Sequence, residues 1–161
     1  MTTQIKAHAT EELRHEHQSV LQLLNEMNRV LDSADLSVTV SWKPFFEDAL
    51  KYFKKDVATH FKKEEDALFP ALERYIGREG GPIAVMLNEH QQHNALLVKL
   101  NEAVAAGDLP GLRSVWENFN PLLTMHIVKE DSVLFPMAEH MLTEEEWSRV
   151  GRRMEELNKA H

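Results

Sequence analysis

Residues 60–70 read His60-Phe61-Lys62-Lys63-Glu64-Glu65-Asp66-Ala67-Leu68-Phe69-Pro70, and residues 126–136 repeat the pattern as His126-Ile127-Val128-Lys129-Glu130-Asp131-Ser132-Val133-Leu134-Phe135-Pro136. The two copies stand 66 positions apart and share the form His-x-x-x-Glu-acid-x-x-Leu-Phe-Pro. Residues four apart lie on one face of an α-helix, so each copy places an imidazole beside a carboxylate. The repeat predicts two related helices, each of which offers a nitrogen and an oxygen donor to a metal ion.

The rest of the chain also shows helical periodicity, with apolar residues that recur every three or four positions. The predicted inward stripes are Leu13, His17, Val20, Leu24, Met27 and Leu31; Phe46, Leu50, Phe53, Val57, His60, Glu64, Ala67 and Ala71; Met86, His90, His93, Leu97, Leu100 and Val104; and Val115, Phe119, Leu122, His126, Glu130, Val133 and Met137. A capping box over residues 143–146 opens a short, charged fifth helix. We therefore predict an all-α protein with a single domain over residues 1–161. It comprises an up-down-up-down four-helix bundle over about 10–142 and a C-terminal helix over about 143–159.

Local signals set the predicted ends of the helices. Thr10 suits an N-cap for the first helix, and the fourth helix is expected only after residues 107–111 (GDLPG). A strand-like alternation at Leu36–Val40 falls in the connection between the first two helices. Pro70 and its counterpart Pro136 are expected to kink or loosen their helices, because proline lacks a backbone N–H and clashes with the preceding turn.

The first part of each half is related as well. Glu16-His17-Gln18 recurs as Glu89-His90-Gln91. The chain is therefore predicted to be two helical hairpins of related sequence, which bury their four stripes around one axis.

Composition excludes several classes of protein. The chain has no cysteine, so any metal must be held by nitrogen and oxygen donors. A net charge of −8 argues against a nucleic-acid partner, which needs a basic surface. No stretch approaches the roughly 18 apolar residues of a membrane span, and residues 1–10 (MTTQIKAHAT) lack the apolar segment of a secretory signal. We therefore expect no membrane partner and a cytoplasmic location.

Histidine and glutamate interrupt all four stripes at positions that the bundle must bury. An ionised carboxylate without partners costs on the order of tens of kcal/mol to bury, so it must be protonated, paired or bound to a metal. A lone histidine, or one histidine–glutamate pair, is commonly satisfied by hydrogen bonds, but a histidine on every stripe favours a metal site. The predicted metal ligands are His17, His60, Glu64, His90, His93, His126 and Glu130.

The number of donors indicates a pair of metals. Two octahedral ions, a geometry common for iron or manganese, have about twelve coordination positions between them. Five histidines, two bridging carboxylates and a bridging oxide or hydroxide fill all but one, which leaves room for a small ligand. His93 has an alternative interpretation, in which it is only buried or contacts a ligand residue and does not bind metal. Two coordination positions would then stay open. The acids beside the stripes, Glu16, Glu65, Glu89 and Asp131, are expected to be solvated or to orient the imidazole rings.

These motifs resemble those of the hemerythrin-like family, the HHE cation-binding four-helix bundles, over roughly residues 10–142. The resemblance implies a non-haem di-iron centre with His17, His60, His90 and His126 as terminal ligands and Glu64 and Glu130 as bridging carboxylates. Oxygen-carrying members use His-x-x-x-His on the third helix, where this chain has His90-x-x-His93. They also use His-x-x-x-x-Asp on the fourth helix, which would select Asp131, whereas the internal repeat selects Glu130.

Three functions fit this resemblance and these residues. The first is a di-iron protein that binds dioxygen, nitric oxide or peroxide at an open iron position, in sensing, stress response or iron and oxygen handling. The second is a di-iron enzyme that consumes peroxide or nitric oxide, or that aids the repair of iron–sulfur clusters. The third is an interaction bundle that is metal-free or holds zinc. Manganese and zinc are the alternatives to iron at the site.

Overall fold

The computed structural model describes residues 2–34 and 42–160, with side chains from His8 onward in the first helix. These residues form helices joined by short connections, which confirms the prediction of an all-α protein. We label the helices α1 (Thr2–Ser33), α2 (residues 42–76), α3 (Pro82–Ala106), α4 (residues 109–141) and α5 (Glu144–Lys159). The up-down-up-down order of the bundle stays a prediction.

Two of the helices contain π-helical turns, in which the backbone accommodates one extra residue. In α2 the segments are Trp42–Tyr52, the π turn Phe53–Val57, Ala58–Lys63, the π turn Glu64–Leu68 and Phe69–Ile76; in α4 they are Leu109–Lys129, the π turn Glu130–Leu134 and Phe135–Met141. The π turns of the repeated motif begin at its glutamate, and the N–H groups of Phe69 and Phe135 donate to the carbonyls of Glu64 and Glu130. Each motif proline follows directly in the first turn of the next α-helical segment, where its missing N–H costs little.

The π turns correct the predicted stripes beyond the two glutamates. The stripe predicted Val133 inside, but Val133 is 51% exposed and Leu134 is 2% exposed. Likewise Ala71 is only half-buried, and the next residue, Leu72, is fully buried. An α-helical period of 3.6 residues was assumed throughout, and the extra residue of each π turn moves the buried face one position along the chain.

Two helix starts also differ from prediction. Helix α1 begins at Thr2 instead of Thr10, because the chain upstream of Thr10 continues as helix and Ala9 packs into the core beside α5. Helix α4 begins at Leu109, inside the predicted connection. Its N-cap is Asp108, whose side chain accepts a hydrogen bond from the N–H of Gly111. The strand-like stretch Leu36–Val40 lies outside the described residues.

The other helix ends follow ordinary capping chemistry. Helix α3 begins at Pro82 and ends at Ala106, and the next residue, Gly107, has a φ of +66°, the left-handed conformation that glycine adopts easily. Thr143 and Glu146 form the predicted capping box of α5. Helix α4 continues through Pro121 without a break.

The apolar core forms two clusters. The first contains Val20, Val57 and Leu123, together with Phe53, Phe61, Phe119 and Ile127. The second contains Leu13, Leu68, Met86 and Leu134, and α5 closes it with Trp147, Val150 and Met154. Along each of the first four helices, the stripe histidine or glutamate stands between a residue of one cluster and a residue of the other. The polar layer of the bundle is therefore enclosed by apolar side chains on both sides.

Among the described helices, none combines the length and the apolar composition that crossing a bilayer requires.

The shifted stripe predicts unequal effects of two adjacent substitutions. Leu134→Ala should lower the free energy of unfolding by about 2–4 kcal/mol, because it removes a buried side chain and leaves a cavity. Val133→Ala should change it by no more than about 0.5 kcal/mol, because Val133 faces solvent. Urea denaturation of both variants measures the difference, and a larger loss for Val133→Ala would contradict the π-turn register.

Candidate metal centre

Six buried side chains from four helices meet in the polar layer. They form two groups whose ligand atoms lie within 4.8 Å of one another. Site A consists of His17, His60, Glu64 and Glu130, and site B consists of His90, His126, Glu64 and Glu130. Each site takes both histidines from one hairpin, whereas the two glutamates, one from each hairpin, belong to both sites. Each site therefore offers two nitrogen and two oxygen donors.

The imidazoles point their Nε2 atoms at each other and at the glutamates. In site A the two Nε2 atoms are 3.0 Å apart, and Nε2 of His17 lies 3.2 Å from Oε1 of Glu130. In site B the two Nε2 atoms are 3.2 Å apart, and Nε2 of His90 lies 3.2 Å from Oε1 of Glu64. The intrahelical pairs contribute as the repeat predicted, with Nε2 of His126 3.0 Å from Oε1 of Glu130 and that of His60 3.5 Å from Oε2 of Glu64.

Each of the four rings is held from behind by a carboxylate. Nδ1 of His17 lies 2.8 Å from Asp131, that of His60 3.0 Å from Glu16, that of His90 2.8 Å from Glu65 and that of His126 3.0 Å from Glu89. These are the four acids that the sequence placed beside the stripes. Two of the contacts connect the hairpins, because Asp131 holds a ring of the first hairpin and Glu65 a ring of the second.

The hydrogen bonds fix where the ring protons lie. An ionised carboxylate can only accept, so each Nδ1 donates and the neutral ring presents a lone pair at Nε2. Two such lone pairs then face each other at about 3 Å in both sites, beside carboxylate oxygens of Glu64 and Glu130. All four of these oxygens are buried and have no hydrogen-bond donor among the described residues. Positive charge stabilises this arrangement of acceptors, and the donor set fits one cation in each site.

The pKa values of the imidazoles report the same preference for positive charge. Burial alone would lower the pKa of His60, but the charge of Glu64 and the hydrogen bond with Glu16 outweigh it and raise that pKa to about 10. Burial would also lower the pKa of His17 and of His90. Hydrogen bonds with carboxylates outweigh burial and raise both pKa values to about 9. Surroundings that stabilise a proton on these rings also stabilise a metal cation in its place.

Two lysines that were not among the predicted site residues extend the network. Nζ of Lys63 donates to Oε2 of Glu16 at 2.7 Å, and Nζ of Lys129 donates to Oε2 of Glu89 at 2.5 Å. The signal was present, because Lys63 and Lys129 occupy equivalent positions of the repeat, directly before the two glutamates. Lysine on a helix is ordinarily solvated, yet the Lys63 side chain is 1% exposed and Lys129 is 42% exposed.

The motif phenylalanines cover the outer faces of the imidazoles. The ring of Phe135 stacks on His17 with centroids 5.4 Å apart, and the ring of Phe69 stacks on His90 with centroids 6.0 Å apart. The ring of Phe61 also stacks on His90, with centroids 3.8 Å apart. The repeated Leu-Phe-Pro element thus supplies dry walls for the centre.

His93 lies outside both groups. It is buried against the rings of Phe53, Phe61 and Phe119. Its Nδ1 is 3.3 Å from Oδ1 of Asn94, and its Nε2 is buried with no hydrogen-bond partner in the part of the chain that the structure describes. Burial lowers the pKa of His93 to about 4, so this ring is neutral. The structure therefore brings together six of the seven predicted ligands and leaves His93 in the adjacent layer. Glu130 reaches both sites, whereas Asp131 contacts the back of His17.

A family model described as "Hemerythrin HHE cation binding domain" matches residues 8–138 of the chain. The match covers all six residues of sites A and B. The chain belongs to the hemerythrin HHE cation-binding family. The resemblance seen in the motifs is thereby confirmed, and metal binding is the property that this family and the buried donor clusters share.

Two curated relatives are similar to part of the chain. The iron–sulfur cluster repair protein DnrN of Neisseria gonorrhoeae is 31% identical over 91 residues, which cover 51% of this chain and 58% of that protein. The iron–sulfur cluster repair protein YtfE of Salmonella paratyphi B is 31% identical over 93 residues, which cover 52% of this chain and 42% of that protein. The chain thus spans about half the length of the curated relatives it matches. No solved structure matches it.

The unequal burial of the two lysines predicts unequal effects on stability. Lys63→Met should lower the free energy of unfolding of the metal-free protein by about 1–3 kcal/mol, because it leaves the carboxylates of Glu12 and Glu16 without their buried cation. Lys129→Met, the matched control, should cost less than about 1 kcal/mol, because its ion pair is open to water. Urea denaturation measures both, and equal losses would show that burial of Lys63 carries no special weight.

Proposed function

We propose that the chain is a non-haem di-iron protein that binds dioxygen, nitric oxide or peroxide at an open iron position. One iron would occupy site A and the other site B, with Glu64 and Glu130 bridging them together with an oxide or hydroxide. The observation that carries the proposal is the position of these two buried carboxylates, each shared by two pairs of imidazoles. We further propose a role in stress response or in iron and oxygen handling, in the cytoplasm.

The donor count supports iron over zinc. A zinc ion is usually satisfied by four donors, which is the number that each site provides, so it would leave no place for a small ligand. Iron held by nitrogen and oxygen commonly takes six. With His93 outside both sites, four imidazoles, two bridging carboxylates and one bridging oxygen leave two of about twelve positions open.

The chain's own residues would prepare the centre in three ways. The carboxylates behind the rings hold each Nδ1–H and so keep Nε2 available as a donor to metal. The phenylalanine rings and the two apolar clusters exclude water, which strengthens electrostatic interactions inside the site. When bound, iron supplies a change of oxidation state and Lewis acidity.

Metal content tests the ligand set. The iron-loaded protein should hold two irons per chain by elemental analysis. Glu130→Ala should hold fewer than one, because Glu130 contributes to both sites. The matched control Asp131→Asn should still hold two, with an affinity about 10–100-fold weaker in chelator competition, because Asp131 only orients His17. The reverse result would make Asp131 the ligand, and zinc or no metal in the wild type would favour an interaction bundle.

Ligand binding tests the function. The reduced, iron-loaded protein should change its absorption spectrum on addition of dioxygen or nitric oxide and should recover it when the gas is removed. The control is His60→Ala, which lacks a donor of site A. Irreversible bleaching would count against reversible ligand binding. Consumption of peroxide by the wild type and not by His60→Ala would identify an enzyme instead.

Repair of iron–sulfur clusters is the second candidate, and the names of both curated relatives favour it. The same samples test it. If the candidate is correct, the iron-loaded wild type should restore the activity of an iron–sulfur enzyme with a damaged cluster faster than loaded His60→Ala or an equal amount of free iron. Equal recovery in all three mixtures would exclude repair by this chain.

A further inference from the structure

His93 is the position at which the two halves of the polar layer differ in chemistry. The 73-residue offset that aligns His17 with His90 aligns Val20 with His93, and the 66-residue offset of the motif aligns Phe61 with Ile127. Next to its imidazoles the first half therefore carries Val20 and Phe61, and the second half carries His93 and Ile127. Of these four side chains, His93 is the polar one, and its Nε2 has no hydrogen-bond partner within residues 8–34 and 42–160.

The sequence of layers indicates which side of the centre His93 faces. Along α2, His60 and Glu64 stand between Val57 of the first cluster and Leu68 of the second. Along α4, His126 and Glu130 stand between Leu123 of the first cluster and Leu134 of the second. The two glutamates thus approach the centre from the side of the second cluster. Coordination positions of a metal ion that the glutamates do not fill would face the first cluster, into which His93 packs.

Among the described residues, Nε2 of His93 is a polar atom on a side of the centre that is otherwise apolar. The apolar residues there are Val20, Val57, Phe61, Leu123 and Ile127. An isolated buried polar atom lowers stability unless it binds water or a ligand. The ring is also well fixed, because Phe61 meets it edge-on with centroids 4.8 Å apart and Phe119 lies 5.0 Å away. A neutral imidazole carries its proton on either nitrogen, and the partner of Nδ1, Asn94, is exposed. While Nδ1 donates to Oδ1 of Asn94, Nε2 is an acceptor. Rotation of the exposed Asn94 amide turns its NH2 group toward Nδ1, and the ring proton then lies on Nε2, which can donate.

We propose that His93 is a ligand-positioning residue, whose Nε2 donates a hydrogen bond to the outer atom of a two- or three-atom ligand bound at site B. This inference rests on the proposed function. It assigns the ligand to site B, because Phe61 connects the rings of His90 and His93, whereas Val20 occupies the equivalent place beside site A. It also gives the centre a preference for ligands whose outer atom accepts a hydrogen bond.

The test is titration of the oxidised, iron-loaded full chain with azide, followed by absorption spectroscopy. His93→Leu should keep two irons per chain and bind azide about tenfold more weakly, which is the effect of losing one hydrogen bond. His93→Gln, which restores a donor, should recover a large part of that loss. Val20→Leu places the same aliphatic side chain at the equivalent position of the other half and should change the affinity by less than about twofold.

Any different result would contradict a specific part of the proposal. Loss of one iron in His93→Leu would make His93 a metal ligand. Equal azide affinity in wild type and His93→Leu, or equal weakening in His93→Leu and His93→Gln, would show that the ring only fills space. A wild-type chain that takes up no iron would refute the proposed function and this inference together. Thermal unfolding of each variant confirms that the comparison is made between folded proteins.

Discussion

The structure depends on the burial of two carboxylates, those of Glu64 and Glu130, in the middle of a helical bundle. Neither is exposed to solvent, and their oxygens have no donor in the described part of the chain. The polar groups around these two carboxylates are arranged in successive shells. Four imidazoles face the carboxylates, four further acids hold the imidazoles, and two lysines hold two of those acids.

Because the chain consists of two related hairpins, the charges of Glu64 and Glu130 are shared by both sites. Each hairpin supplies two histidines to one site, but one glutamate to both sites. Asp131 and Glu65 cross between hairpins to hold His17 and His90. Neither hairpin alone therefore completes a site, and assembly of the bundle and assembly of the donor set are one event. A cation bound there would stabilise the folded state directly, because the unfolded chain lacks the preformed site.

The sequence predicted the donors because charged residues at helical spacing on an apolar stripe stand out, and because the repeat supported each one twice. It did not predict the backbone that carries them. A stripe drawn with a constant period placed Val133 inside, whereas the π turn at Glu130 turns Leu134 inward. Pairing across helices was also beyond it: Glu16 adjoins His17 in the chain, but successive helical residues point about 100° apart, and Glu16 holds His60 instead. Lys63 resembles any solvated helical lysine until the tertiary structure encloses it.

Differences between the halves matter more than their likeness, because identical donors alone would make the two sites equivalent. The surroundings are unequal in charge as well as in shape. Behind site A, a fully buried lysine pairs with the carboxylate that holds His60, whereas behind site B the equivalent lysine is 42% exposed. A positive charge in a dry interior acts on its neighbours far more strongly than one screened by solvent. The lysine behind site A therefore acts in drier surroundings than the lysine behind site B. Site B has Phe61 stacked on His90 and, near it, Nε2 of His93, which has no hydrogen-bond partner among the described residues. Under the proposed function, this asymmetry would direct a small ligand to a cation in site B.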